Sequence, residues 1–147
     1  MRIVKIVLAT LALTALAAQN AYATHSEHSA EKHRVVIQVS SGDEATQSIA
    51  MNNAVNLQKE LGIDNVSIEI VAYGPGLSML FNGGKQSERV SSLAKQEITF
   101  SACGNTMKKV EKKQGKPVVL AEGVGVVPGG VIRIMELQEQ GYSYIRP

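Results

Sequence analysis

One cysteine stands in this 147-residue chain, Cys103, within Phe100-Ser101-Ala102-Cys103-Gly104-Asn105-Thr106-Met107. A short apolar run ends there and a helical pattern begins. The thiolate is the reactive form of cysteine, and the unpaired amides at a helix start lower its pKa below the free value of about 8.5. Gly104 permits close backbone approach, Asn105 or Thr106 can cap the helix, and Lys108 and Lys109 add positive potential nearby. Free cysteine is also among the most buried residue types, so a small packing side chain is the competing reading.

The rest of the inventory narrows the chemistry. No Cys-x-x-Cys is present, which excludes a dithiol cycle within one chain. His25, His28 and His33 are irregularly spaced, with no cysteine or carboxylate pattern to complete a metal site, so no metal and no cofactor are expected. No Ser-His-Asp or Cys-His-Asn order supports a hydrolase. A lone thiolate can accept a sulfane sulfur, hold it as a persulfide and pass it to another thiol without a resident base. Lys108, Lys109, Lys112, Lys113 and Lys116 could draw in anions, although such runs are usually solvated helix faces. Gly123-Val124-Gly125-Val126-Val127-Pro128-Gly129 is only superficially a dinucleotide fingerprint, because Pro128 replaces the third glycine. It reads as a loop and a helix start.

These residues need elements to position them. Arg34–Ser40 has the near-continuous hydrophobicity of a strand covered on both faces. Ser41-Gly42-Asp43-Glu44 has the form of a capping box, and the helix it opens carries Ala50, Ala54, Leu57 and Leu61 on one face before a stop at Gly62. Val66–Ala72 is the next strand. Gly74-Pro75-Gly76 reads as a tight turn, with a short helix starting at Leu77–Phe81 and interrupted at Asn82-Gly83-Gly84. Helical spacing resumes over Ser87–Gln96, a strand covers Ile98–Ser101, and the helix after Cys103 runs to about Lys113. Gly115 and Pro117 break it, and Val118–Val127 supplies one or two extended pieces. Val131–Gln140 is the last helix, with Val131, Ile134, Met135 and Leu137 on or near its buried side and Gly141 as its stop. Tyr142–Ile145 closes as an edge strand.

Strands alternating with helices predict an α/β fold, a three-layer α/β/α sandwich around a mostly parallel sheet of about five strands. Functional groups in such sheets gather at the carboxyl ends of strands, where Cys103 and the Gly74-Pro75-Gly76 turn both fall.

Arg2 and Lys5 precede an apolar run over Ile6–Ala18, and Ala21-Tyr22-Ala23 is a small-x-small site, so residues 1–23 read as a cleavable signal peptide and the destination as a periplasm. Residues 24–33 read as a flexible mature N-terminus. The apolar run is too short to span a bilayer, and stable membrane insertion is not expected. Removing the leader leaves about 124 residues, enough for one domain over 34–147. Arg2 and Lys5 account for the whole formal charge of +2, and aromatic residues make up 4%, so the basic footprint and stacking platform of a nucleic-acid binder are both missing.

Four stretches carry a resemblance over Arg34–Pro147: Val35-Val36-Ile37-Gln38-Val39; Val71-Ala72-Tyr73-Gly74-Pro75-Gly76-Leu77; Phe100 to Met107; and Val127-Pro128-Gly129-Gly130-Val131 leading to Leu137-Gln-Glu-Gln-Gly141-Tyr142-Ser-Tyr144-Ile145. In their order they resemble the DsrE/DsrF-like family, in its exported branch related to intracellular sulfur oxidation proteins, with a YchN-like fold. The resemblance implies a compact α/β/α domain, homo-oligomers, and a persulfide-carrying cysteine at the position of Cys103. The expectation is a periplasmic sulfur carrier or sulfurtransferase-like protein with Cys103 as acceptor. Gly74, Pro75, Gly76, Gly104, Asn105 and Thr106 would shape its pocket; the sulfur donor and thiol acceptor are unknown. The alternatives are a noncatalytic oligomeric binding or assembly module with a buried structural cysteine, and a small-molecule sensor using the same pocket. The apolar Leu77–Phe81 segment adds slight support for assembly.

Overall fold

The structure is a computed structural model that describes residues 32–147. The expected signal peptide, its cleavage site, His25 and His28 lie outside the described residues. In chain order the elements are β1 (His33–Val39), α1 (Glu44–Leu61), β2 (Val66–Ala72), a 3₁₀ helix (Gly74–Leu80), α2 (Ser87–Ala94), β3 (Ile98–Cys103), α3 (Gly104–Gln114), β4 (Val124–Val127), α4 (Gly130–Glu139) and β5 (Ser143–Ile145).

The strands form one five-stranded sheet in the order β4-β3-β2-β1-β5. Every pairing is parallel. The inner strands β1, β2 and β3 are therefore covered on two faces and mostly buried, their apolar runs broken by polar residues such as Gln38, Glu69 and Ser101, whereas the edge strands β4 and β5 stay partly exposed. On one face Ile37, Ile70 and Phe100 meet Ala50, Met51 and Ala54 of α1, Leu77 and Leu80 of the 3₁₀ helix, Val90 and Leu93 of α2, and Met107 and Val110 of α3. On the other face Val36 and Val71 meet only Ile134 and Leu137 of α4, with Tyr73 and Tyr142 beside them.

This unequal layering follows from handedness. From β1 to β4 the chain steps across the sheet in one direction, and right-handed crossovers place every connecting helix on the same face. The return from β4 to β5 runs the opposite way, so the same handedness places α4 on the other face. The loops after the neighbouring strands β3 and β4 consequently leave toward opposite faces. That divergence is the topological switch point of the sheet, and it falls at Cys103, which pairs with Val127.

Several local readings change. The cap of α1 is Asp43 rather than a Ser41 capping box: the Asp43 carboxylate accepts from the Thr46 N–H and hydroxyl at 2.8 Å, while Ser41 Oγ accepts from the Asp43 N–H. The backbone bond from Thr46, joined by its hydroxyl, holds the Asp43 pKa below its ordinary value. Gly74-Pro75-Gly76 is not a separate turn but the first half of the 3₁₀ helix. Leu77, Met79 and Leu80 are fully enclosed, so the segment taken as a sign of assembly is core. On α4, Val131 and Met135 are exposed, because the buried positions are Gly130, Ile134 and Leu137. The extended pieces expected over Val118–Val127 are β4, Val124–Val127, and an isolated bridge between Leu120 and Phe81, so the glycine-rich stretch is not all loop before α4.

Candidate thiolate site at the switch point

Cys103 ends β3 and is the N-cap residue of α3, where its backbone is extended at φ −72°, ψ 110°. Its side chain is 5% exposed. Burial opposes ionisation of this thiol. The opposition is outweighed by the Thr106 hydroxyl and by the backbone N–H groups of Gly130, Thr106 and Asn105, and the pKa lies below the ordinary thiol value. Asn105 and Thr106 belong to the first turn of α3, whereas Gly130 opens α4 from the opposite face. The sulfur thus sits between two converging helix starts, each offering amides that no intrahelical carbonyl uses.

The fit is close. A Cβ on Gly104 would lie 3.1 Å from the Val127 carbonyl, and one on Gly130 would lie 3.0 Å from the Tyr73 ring and its Cβ. The Asn105 N–H also donates to the Pro128 carbonyl at 3.3 Å, tying the start of α3 to the loop that enters α4. Thr106 has a second partner, since its Oγ1 accepts from the Gly74 N–H at 3.0 Å. With an acceptor lone pair so occupied, its single hydroxyl proton is free for the sulfur.

The residues expected at the pocket are therefore divided. Gly104, Asn105 and Thr106 surround Cys103, and Gly74 acts through Thr106. Pro75 and Gly76 do not join them: Pro75 faces Gly42, and Gly76 is pressed against the backbone of β1, where a Cβ would stand 2.2 Å from the Val39 carbonyl oxygen. The α3 cap is neither Asn105 nor Thr106, for Cys103 occupies that position without a side-chain capping bond. The five lysines following Cys103 have exposed side chains, and the donors acting on the thiolate are uncharged groups.

Gly130 is the participant to which reading along the sequence gave no role at the thiol. Its signal was present, because Val127-Pro128-Gly129-Gly130 repeats the strand-to-helix transition seen at Cys103. Neighbourhood in the sheet, not in sequence, joins the two transitions. A cleft of about 340 Å³ lined by Asp64, Glu69, Glu97, Thr99 and Tyr142 opens elsewhere, toward the amino-terminal ends of β2 and β3. Among the described residues no group of three or more His, Cys, Asp or Glu side chains is placed to hold a metal ion. No helix among them is long and apolar enough to cross a membrane.

Thr106→Val tests the hydroxyl directly. The substitution keeps the shape but removes the donor to sulfur and the acceptor for Gly74, so the thiol pKa should rise and alkylation near neutral pH should slow about three- to tenfold. The sign of the linked stability is set by the lowered folded pKa. The thiolate contribution is fully present above the unfolded-state value and is lost as pH falls through the folded one. The melting-temperature gap between wild type and Thr106→Val should therefore widen as pH is raised through that window. A gap independent of pH, with unchanged alkylation, would contradict the assignment.

The DsrE/DsrF-like family matches residues 33–147. Among solved structures, a protein of unknown function, MTH1491 from Methanobacterium thermoautotrophicum, is 37% identical with a TM-score of 0.70, covering 79% of this chain and 100% of that one. The ychN protein from E. coli has a TM-score of 0.59 at 13% identity, covering 80% and 99%, a likeness of fold alone. No curated protein matches significantly.

Proposed function

We propose that this chain, which belongs to the DsrE/DsrF-like family, is a periplasmic sulfur carrier or sulfurtransferase-like protein that holds sulfane sulfur as a persulfide on Cys103. The observation that carries the reading is the convergence of two helix starts on one thiol whose pKa is lowered. The thiolate attacks the outer sulfur of a polysulfide or of thiosulfate. A bond forms between Cys103 Sγ and that sulfur, the donor's S–S bond breaks, and its electron pair leaves with the shortened polysulfide or with sulfite. No external oxidant is consumed, and the product persulfide is itself an anion that the same amides of Gly130, Asn105 and Thr106 can hold. Attack by an acceptor thiolate on the terminal sulfur reverses the step and returns Cys103 as thiolate.

Incubation with polysulfide or thiosulfate followed by intact mass measurement is the test, with the mass of bound sulfur expected on the folded protein. The 5% exposure of Cys103 favours a second reading, a noncatalytic module in which the cysteine only packs. A thiol that resists small alkylating reagents until denaturant is added would leave that reading in place of the first.

Export and self-assembly belong to the same proposal. Val131, Ile132 and Met135 on α4 are about half exposed and lie beside the thiol's helix start, an apolar strip suited to another copy of the chain. Native mass spectrometry of protein from the exported fraction should show chains beginning at or near Thr24 and masses that are multiples of one chain. Met1-initiated monomers would refute both parts.

A further inference from the structure

The Gly130 N–H reaches Cys103 only if the first turn of α4 is held in one orientation against the sheet, and in that turn only the side-chain-less Gly130, close against Tyr73, is buried. Ile134 and Leu137, its buried apolar side chains, lie beyond it, and Val131 and Ile132 point to solvent. A polar lock holds it. Arg133, one turn from Gly129 and bonded to its carbonyl through the backbone, donates from Nε to Glu69 Oε1 at 2.8 Å and from Nη2 to Glu69 Oε2 at 2.7 Å. The Ser101 hydroxyl donates to the same Oε1 at 2.6 Å. The Glu69 side chain is 5% exposed, and Ser101 precedes Cys103 by two residues on the same face of β3.

We propose that the Glu69–Arg133 fork, keyed to β3 through Ser101, fixes the first turn of α4 over Cys103 and thereby sets the thiolate's hydrogen-bond cradle, making Glu69 and Arg133 positioning residues for the reacting sulfur. A partly buried ion pair adds little net stability compared with apolar packing of the same volume, but its two parallel bonds define an orientation that apolar contacts leave loose. The inference rests on Cys103 working as a thiolate, as proposed above.

Simple electrostatics makes a different claim, which allows the two to be separated. The charged groups on the elements around the thiol are Glu69 on β2, Arg133, Glu136 and Glu139 on α4, and Lys108, Lys109, Glu111, Lys112 and Lys113 on α3. Asp64, Glu97 and Lys32 line the cleft beside Glu69. By charge alone, Glu69→Gln removes an anion and unmasks the Arg133 cation, so the thiolate should form more readily. By loss of positioning, it should form less readily.

The experiment follows Cys103 ionisation through thiolate ultraviolet absorbance and through alkylation by iodoacetamide against pH, in wild type, Glu69→Gln, Arg133→Lys and Glu136→Gln. In the first two variants the midpoint should rise by about half to one pH unit, with alkylation at neutral pH about three- to tenfold slower and the limiting rate at high pH retained. Lysine keeps the charge of Arg133 but not its fork. Glu136→Gln, which loses only the 3.5 Å contact with Arg133 Nη1, should titrate as wild type. A lowered or unchanged midpoint in Glu69→Gln, a wild-type midpoint in Arg133→Lys, or an equal shift in Glu136→Gln would each overturn the proposal; should Glu69→Gln fail to fold, Arg133→Lys decides. Persulfide uptake is scored separately. Midpoints that move without any uptake in wild type would sink the sulfur-carrier reading alone, and uptake with immobile midpoints would sink the positioning role alone.

Discussion

Cys103→Ser is expected to take up no sulfur from polysulfide or thiosulfate while keeping the fold, the largest functional loss any single substitution here should cause. Serine is nearly the same size, but the alkoxide is not accessible near neutral pH and an alcohol cannot stand in for a sulfur nucleophile. The fold should survive even though the position is only 5% exposed. A serine hydroxyl there can accept from the Gly130 N–H and from the first-turn amides of α3, so a newly buried polar atom does not go unpaired. Intact mass after donor treatment, beside circular dichroism and a melting curve, reads both halves. Sulfur retained on the serine variant would place the acceptor elsewhere, and a variant that melts far below wild type would make the thiol's packing its main role.

Gly76→Ala should have the largest effect on stability. A methyl group there would meet the Val39 carbonyl oxygen at 2.2 Å, its carbon at 2.6 Å and Ser40 Cα at 3.0 Å. All three are backbone atoms at or just past the end of the inner strand β1, and the same Val39 oxygen accepts from the Tyr73 N–H at 3.1 Å. No side chain can swing aside, so either the strand end or the 3₁₀ helix must shift. An expected cost of about 3 kcal/mol or more would remove much of the roughly 5 to 15 kcal/mol that holds a domain of this kind together. Displacing the 3₁₀ helix also moves Gly74, whose N–H fixes Thr106, so any folded fraction should show slower alkylation of Cys103. Gly125→Ala is the control, because its nearest neighbour is an ordinary 3.7 Å away; it should melt within a degree or two of wild type, as about 0.5 kcal/mol implies. A Gly76→Ala protein that melts like wild type would refute the crowding.

The legible features were those encoded over a few neighbouring residues. The apolar run Val35-Val36-Ile37 announces a strand buried on two faces, and Val66–Ala72 was legible to its ends. Helix positions such as Ala50 and Ala54 followed from period alone. Less visible was anything decided by competition between partners. Asp43 rather than Ser41 caps α1 because its carboxylate reaches the Thr46 amide. Val131 and Met135 share the apolar character of Ile134, but only one stripe of α4 can meet Val36 and Val71. Leu77–Phe81 looked available for assembly because nothing nearby in sequence covers it, whereas α1 and β3 do.

By itself the sequence determined the alternation of strands and helices, the parallel sheet that alternation requires, and the placement of Cys103 where a strand becomes a helix. Those are consequences of side-chain period and of local backbone preference, which neighbouring residues set between them. The tertiary structure decided that a second helix start would reach the same sulfur. Gly130 comes to Cys103 because the chain reverses its direction across the sheet after β4, and an unchanged right-handed crossover then sends α4 to the opposite face at the strand next to β3. Gly74 meets Thr106 from 32 residues away, and Glu69 meets Arg133 from 64. Such pairings depend on the order of strands in the sheet, a property of the whole chain that no local window contains.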